Sequence, residues 1–597
     1  MHIKCNMFLR ATKRYKDGKE HRYWSVVENR RVKRGRVVQK TLLYLGEIND
    51  SQQASWHRAI DVIEGNEWKQ TSLFPSDRQV PANVDDSIQI QMSKITLARP
   101  RQWGGCWLAV ELWRQLRLEE FWEERLSPSR KGTKWADVLL TLVAYRLLDP
   151  GSEWRLHRLW FDRSAMADLL DADFSLAQKN TLYRCLDKVL KHKEAFFSHL
   201  QTRWRDLFGV SFEVLLYDLT STYFESDPPH PGELRRYGYS RDKRSDCVQV
   251  VIALVVTPEG FPLAYEVMPG NTSDKTTLRD FLEKIEKQYG KADRIWVMDR
   301  GIPTEEVLDE MKAAPQPVQY IVGTPKGRLS KLEKKFLQQP WQKVRDSVEV
   351  KLLPEEKELY VLAKSGKRIA KERAIRQRKL RKLLARLKEL REQQLTRDQL
   401  LLKIGAAKKD AGRHYSLVTI NLPGSNEEVS PKTFSFSLNR EKLKLVRRRE
   451  GRYLLRSNIR DKNPAELWQQ YIQLTEVEAA FKDLKDDLSI RPIFHQSDER
   501  IETHIFVAFM AYCLFVTLKH RARCLAPGFT ARSVLEQMSN IQMLDVYAPT
   551  TDGRQLKMSR YTKPDKAQAL VLAQIGLVLP PQPPPEISAL SSSNPSL

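Results

Sequence analysis

Between residues 214 and 322 the chain carries five short apolar runs and two amphipathic ones, in an order that few folds accept. The apolar runs are Val214-Leu-Leu-Tyr-Asp218, Val248-Gln-Val-Val-Ile-Ala-Leu-Val-Val-Thr257, Phe261-Pro-Leu-Ala-Tyr-Glu-Val-Met268, Arg294-Ile-Trp-Val-Met-Asp299 and Val318-Gln-Tyr-Ile-Val322. Their length and β-branched content predict strands. Pro258-Glu-Gly260 makes a tight turn, so the first three read as an antiparallel meander. Asp274–Tyr289 and Thr304–Ala313 have helical spacing. The result is β-β-β-α-β-α-β. The first and fourth strands each end in a carboxylate, Asp218 and Asp299.

That order is the order of an RNase H-like core, an α/β fold with a mixed five-stranded sheet flanked by helices. In such a sheet the first and fourth strands are neighbours, which brings Asp218 and Asp299 together. A third acid comes from Tyr471-Ile-Gln-Leu-Thr-Glu-Val-Glu478-Ala-Ala-Phe-Lys-Asp-Leu-Lys485, read as one helix with an apolar stripe at Leu474, Val477, Phe481, Leu484 and Leu488. Tyr471, Glu478 and Lys485 are seven residues apart. Seven steps of about 100° return to nearly the same face, so a phenol, a carboxylate and an ammonium share one row.

Two carboxylates brought close repel unless a divalent cation neutralises them. With Glu478 there are three hard oxygen donors, which suit Mg²⁺ or Mn²⁺. Two such ions serve in-line displacement at phosphorus. Asp483, Asp486 and Asp487 compete for the third position, Asp486 best because it lies eight residues after Glu478.

The charge balance points the same way. Lys and Arg number 100 against 75 Asp and Glu, a net +25 over 597 residues, which suits an extended polyanion such as nucleic acid. Excess charge alone also fits an acidic membrane surface. The six cysteines, at positions 5, 106, 185, 247, 513 and 524, form no CxxC, so free thiols in a reducing compartment are expected. The start has no apolar signal core, and the longest apolar run, Ile505 to Leu518, falls short of the ~18 residues that span a bilayer. It reads as a buried helix, and a cytoplasmic protein without a membrane partner is expected.

Several regions surround this core, as the length requires. Residues 1–75 form a basic β-hairpin region, with Arg30, Arg31, Lys33, Arg34 and Arg36 on a ribbon that lies either on DNA or in solvent. Residues 76–102 read as a polar linker. Residues 103–208 are helical, their tryptophans reading as core, and fit a small DNA-binding unit without a sharp helix-turn-helix signature. The core follows in two parts, 209–324 and 458–522, around a β-rich insertion, 325–457. Within the insertion the basic run Lys364–Arg397 carries a Leu stripe at 380, 383, 384, 387 and 390, preferred as a packed helix over a DNA helix. A C-terminal region, 523–579, and a Pro/Ser-rich tail, 580–597, expected to be disordered, complete the chain.

Three motifs resemble the DDE transposases of bacterial insertion sequences, in the branch marked by a Tyr-Arg-Glu-Lys signature. They are Tyr217-Asp218-Leu-Thr-Ser-Thr-Tyr-Phe-Glu225; Pro269-Gly-Asn-Thr-Ser-Asp274-Lys-Thr-Thr-Leu278 with Val297-Met-Asp299-Arg300-Gly301; and Tyr471, Glu478 and Lys485 at their spacing. The resemblance covers about residues 210–520. The signature's Arg falls at Leu474, and Lys482 or Arg491 is the candidate to replace it. Some members stack an insertion Trp on a flipped base; Trp341 is the one Trp of this insertion.

The resemblance implies that Asp218, Asp299 and Glu478 hold two Mg²⁺ (or Mn²⁺) ions. Water frees a 3′-OH at the transposon end, and that 3′-OH then attacks target DNA. Tyr471, Lys482, Lys485, Arg491 and Arg300 are the expected DNA contacts. The partners implied are double-stranded DNA, as terminal inverted repeats and target, and a second copy of the chain when ends are paired. A nucleoid-associated location in the bacterial cytoplasm goes with this. His495 and His504 lack partners at zinc-ligand spacing and read as structural or phosphate-facing, not as metal ligands. The alternatives are an RNase H-like DNA nuclease and a catalytically inactive DNA-binding regulator derived from a transposase.

Overall fold

The structure is a computed structural model that describes residues 7–589 apart from gaps, the longest being 61–87, 226–233 and 325–331. The chain divides into two compact units, one of Met1–Thr12, Arg22–Ala292 and Thr475–Leu597, the other of Lys13–His21 and Asp293–Leu474.

In the first unit β1 (Val214–Tyr223), β2 (Gln249–Val256) and β3 (Pro262–Pro269) form the expected antiparallel meander, with Asp218 opposite Leu254 and Leu254 opposite Tyr265. All eight residues of β2 are buried, as suits an unbroken apolar run with a strand on either side. The turn before β3 needs Gly260, whose φ of +95° excludes most side chains. One expectation changes: β1 does not end at Asp218 but runs on to Tyr223, because Thr220, Ser221 and Thr222 are buried and suit a pleated strand. Helix α1 (Thr277–Tyr289) follows.

The motif glycine Gly270 has a packing role. A Cβ there would meet the Gln249 carbonyl oxygen at 2.0 Å and that of Arg236 at 2.4 Å. Its N–H donates to the Leu234 carbonyl at 3.0 Å, and its own carbonyl accepts from Gln249 Nε2 at 2.9 Å. Gly270→Ala is expected to cost about 1–3 kcal/mol as the backbone shifts to admit the methyl. Chemical denaturation of the variant beside wild type measures it, and an unchanged midpoint would refute the packing role.

In the second unit β4 (Ile295–Met298) and β5 (Gln319–Gly323) are parallel, with Met298 opposite Val322. Helix α2 (Glu305–Ala313) lies between them in sequence and is capped by the Thr304 hydroxyl, which accepts from the Val307 N–H. Four more strands follow: β6 (Gln342–Arg345), β7 (Val348–Pro354), β8 (Leu359–Ser365) and β9 (Arg452–Ser457). Within the unit the order is β6-β7-β8-β9-β5-β4. The expected separate insertion therefore extends the ladder, with Leu455 of β9 opposite Gly323 of β5. The boundaries expected at 324 and 457 fall inside one hydrogen-bonded sheet. Local pattern predicts strands but not their partners, and the pairing was not legible for that reason.

A buried polar staple crosses this ladder. Glu358 accepts from Arg456 Nη2 at 2.8 Å, from Tyr320 Oη at 2.5 Å and from Tyr360 Oη at 3.1 Å, while Arg456 also grips Glu305 with two bonds of 2.8 Å. Burial opposes charge on Glu358, but Arg456 and Tyr320 outweigh it and hold the carboxyl down to about 2. The basic run is a helical hairpin, α3 (Gly366–Glu392) and α4 (Arg397–Ala411), with a capping box at Thr396 and Gln399. Leu380, Leu383, Leu387 and Leu390 pack against Leu400, Ile404 and Ala407, so the packed-helix reading is the one observed. Helix α5 (Pro464–Ile472) ends the unit.

The chain returns to the first unit through α6 (Leu474–Lys482) and the long α7 (Asp498–Leu525). An 18-residue window of α7 has a mean hydropathy of 1.8, enough to cross a membrane by length and composition, but 94% of it is buried inside the protein. The Tyr265 and Phe509 rings stack at 4.0 Å, Tyr512 Oη donates to the Gly260 carbonyl at 2.7 Å, and Trp204 Nε1 donates to Thr517 Oγ1 at 3.0 Å. Trp107, Trp113, Trp122 and Trp204 are core, as their spacing predicts.

Two terminal expectations are overturned. Thr96–Gln102, in the expected linker, is a strand paired with Gln542–Pro549. Glu586–Ala589, in the expected disordered tail, is a strand paired with Arg554–Tyr561 in the same four-stranded sheet. Composition signalled disorder, but an exposed strand edge supplies backbone partners whatever the side chains. Residues 590–597 lie outside the described residues. The N-terminal hairpin forms as expected, with Arg31 opposite Val37, and buries Val26, Val27, Leu43 and Leu45; Lys33, Arg34 and Arg36 lie outside the described residues.

Candidate active site

Asp218 sits within β1, half-buried, its Oδ1 accepting the Leu219 N–H at 2.8 Å. Glu478 stands on the exposed side of α6, whose Val477, Ala480 and Phe481 are buried; its carboxylate has no hydrogen bond or ion pair among the described residues. Both belong to the first unit. Asp299, exposed, directly follows β4 in the second unit. There Tyr471 Oη donates to Asp299 Oδ1 at 3.3 Å. Tyr471 is oriented by its ring, stacked on Tyr453 of β9 at 6.2 Å, and Arg368 covers the Tyr453 ring at 5.1 Å. The phenol expected to meet DNA thus meets one of the acids.

The expected single helix is broken. Gln473 is a turn between α5 and α6, and beyond Lys482 the chain widens into a π-helical turn, Asp483–Asp487, closed by the Leu488 N–H to the Asp483 carbonyl at 2.9 Å. Apolar periodicity does not report a one-residue turn or a π-turn, which changes the phase of the residues beyond it. Most of the stripe survives: Val477, Phe481, Leu484 and Leu488 are buried, while Leu474, beside the turn, is half-buried.

The break matters for the cations. Lys485 Nζ lies 2.9 Å from Asp242 Oδ1, and Arg491 Nη1 lies 2.5 Å from the same atom. Arg491 also reaches Asp486 at 3.3 Å. Burial pulls the Lys485 pKa down against the pull of Asp242. Burial pushes Asp242 up, but Arg491 and Lys485 outweigh it and its pKa is lowered. Asp242 was missed from sequence: it lies in a polar loop with nothing local to mark it. Lys482 is exposed and has no ion pair among the described residues. Asp483 is turned to Lys519 of α7 at 3.4 Å. Arg300 and Gly301 lie outside the described residues. Trp341 is flanked by Lys351, Lys364 and Arg452 at 5.0, 5.3 and 5.7 Å from its ring.

The sequence that carries these residues has relatives. Residues 211–514, just over half of the chain, match the family described as "Transposase DDE domain", and the chain belongs to that family: it is a DDE transposase. Residues 9–72 match the "IS1634 family transposase, N-terminal domain", and transposition of an insertion sequence is the function of the chain. No curated protein matches. Among solved structures, the cryo-EM structure of a piggyBac transposase synaptic complex with hairpin DNA is similar at 10% identity and a TM-score of 0.33, over 72% of this chain and 76% of that one. DDE transposases use divalent metal ions.

Proposed function

We propose that Asp218, Asp299 and Glu478 are the catalytic acids of this transposase and hold two Mg²⁺ (or Mn²⁺) ions within an RNase H-like core of the Tyr-Arg-Glu-Lys branch. The observation that carries this is the donor set: three carboxylates placed one in each family motif, Glu478 exposed and without a partner among the described residues. Hard oxygen donors of this kind fit small divalent cations. When bound, the ions supply activation of the attacking oxygen and stabilisation of the leaving one. The chain's own residues do the rest. Tyr471 orients the Asp299 carboxylate by its hydrogen bond. Lys482 binds a DNA phosphate as a point charge. Lys485 and Arg491 join it when phosphate takes the place of Asp242.

The substrates are the terminal inverted repeats and the target DNA, paired in a dimer, with residues 1–75 and 103–208 as the DNA-binding regions. The protein acts in the bacterial cytoplasm at the nucleoid. A pre-cut transposon end incubated with purified protein, plasmid target and Mg²⁺ is expected to yield joined product. Hydrolysis without joining would favour the nuclease reading, and binding without either reaction the regulator. Affinity should fall steeply with salt, as for any phosphate-backbone contact.

Asp242→Asn tests the cation exchange. Removing the carboxylate is expected to raise DNA affinity several-fold at low salt, roughly 1 kcal/mol. Unchanged or weaker binding with a lowered melting point would make the trio a structural clamp only.

A further inference from the structure

A second cluster lies inside the first unit, apart from the acids above. Glu153, from a short helical turn capped by Ser152, meets His495, in the loop before α7, and His504, within α7. They are 7%, 8% and 3% exposed. Glu153 Oε1 lies 3.4 Å from His495 Nε2 and 3.6 Å from His504 Nδ1. One donor atom from each falls within 4.8 Å of the others.

These separations are long for hydrogen bonds, and neither His495 Nε2 nor either nitrogen of His504 makes one among the described residues. Burying an imidazole with its polar atoms unpaired is costly. Around a tetrahedral ion with bonds of about 2.0–2.1 Å, however, neighbouring donor atoms stand about 3.3 Å apart. The two separations from the Glu153 oxygen, 3.4 and 3.6 Å, are close to that.

We propose that Glu153, His495 and His504 form a structural site for a transition-metal ion of the Zn²⁺ class, distinct from the catalytic acids. Two imidazoles and a carboxylate suit zinc better than magnesium, which prefers oxygen alone. An ion there gives a partner to one nitrogen of each histidine. It also ties the N-terminal helical region to α7, which supplies the core behind the meander. The rival is an ion pair: Arg146 Nη2 lies 3.9 Å from the same Glu153 oxygen, while its Nη1 donates to the Ser489 carbonyl at 3.2 Å. The charge of Arg146 weakens the site without occupying the donor atoms of the histidines.

The test uses the full-length protein, stripped with chelator, given Zn²⁺ and gel-filtered, with metal measured by mass spectrometry. About one equivalent of zinc is expected to stay with wild type and with Asp299→Asn, and to be lost in Glu153→Gln, whose shape is unchanged. Because substitution here risks the fold, Co²⁺ is also added to stripped wild type. The strong visible absorption of a four-coordinate nitrogen and oxygen site is expected. Zinc retained by Glu153→Gln but lost from Asp299→Asn would assign the metal to the catalytic acids and overturn the proposal. So would wild type that binds neither metal, which would leave Arg146 as the carboxylate's partner.

Discussion

Single alanine substitutions at Asp218, Asp299 or Glu478 are expected to abolish end cleavage, with loss of about 10³-fold or more, several kcal/mol of transition-state stabilisation. DNA binding should be nearly unchanged, since it rests on phosphate contacts made elsewhere. The measurement is cleavage and strand transfer on labelled ends, beside gel-shift affinity for the same DNA. Glu478→Ala is the cleanest of the three, because Glu478 is exposed and nothing among the described residues leans on it. Asp218 instead bonds the backbone of β1, so its variant needs a melting curve as control. Cleavage that survives in any one of them would remove that residue from the site.

The second large effect is on stability. Arg101 is buried and holds Asp168 through two bonds, of 2.7 and 2.8 Å, and Asp545 through one of 2.9 Å. Asp545 is also buried and takes a further bond from Ser559 Oγ at 2.8 Å. Arg101→Ala leaves the Asp545 carboxylate with the Ser559 hydroxyl and, among the described residues, an ion pair only to Arg99, whose side chain is half exposed, at 3.3 Å. Removing one partner of a buried pair costs about 3–5 kcal/mol. Thermal and denaturant unfolding measure it, and a loss under about 1 kcal/mol would mean the pair is solvated, as surface pairs are. The same pair makes stability depend on pH. Burial pushes Asp545 up, but Arg101 and Ser559 outweigh it and lower its pKa. This stabilisation is present above the ordinary carboxylate value of about 4 and is lost as pH falls through the lower folded value. Wild type should lose stability across that acid range, and Arg101→Ala should lose less of it.

The five strands read from apolar runs are all present, and so are the hairpin, the buried apolar helix and the Leu stripe of α3. These are signals that sit within a few residues of one another. The unread features were non-local. Arg101 looked like part of a linker because its partners lie 67 and 444 residues away. Asp242 was silent because Lys485 is 243 residues on. The two histidines seemed to lack a partner because Glu153 lies far upstream of both. The turn at Gln473 and the π-turn after Lys482 were missed for a different reason, since neither disturbs the apolar stripe.

Helix α7 has a consequence for how the protein is made. It is greasy enough to enter a lipid bilayer, and synthesis delivers it after every strand of the meander it covers. Until it emerges, Tyr265 and the turn at Gly260 face water without their cover. A translation product cut short before Asp498 should therefore be insoluble rather than merely inactive, so premature termination in this reading frame would yield aggregates and not a stable DNA-binding competitor.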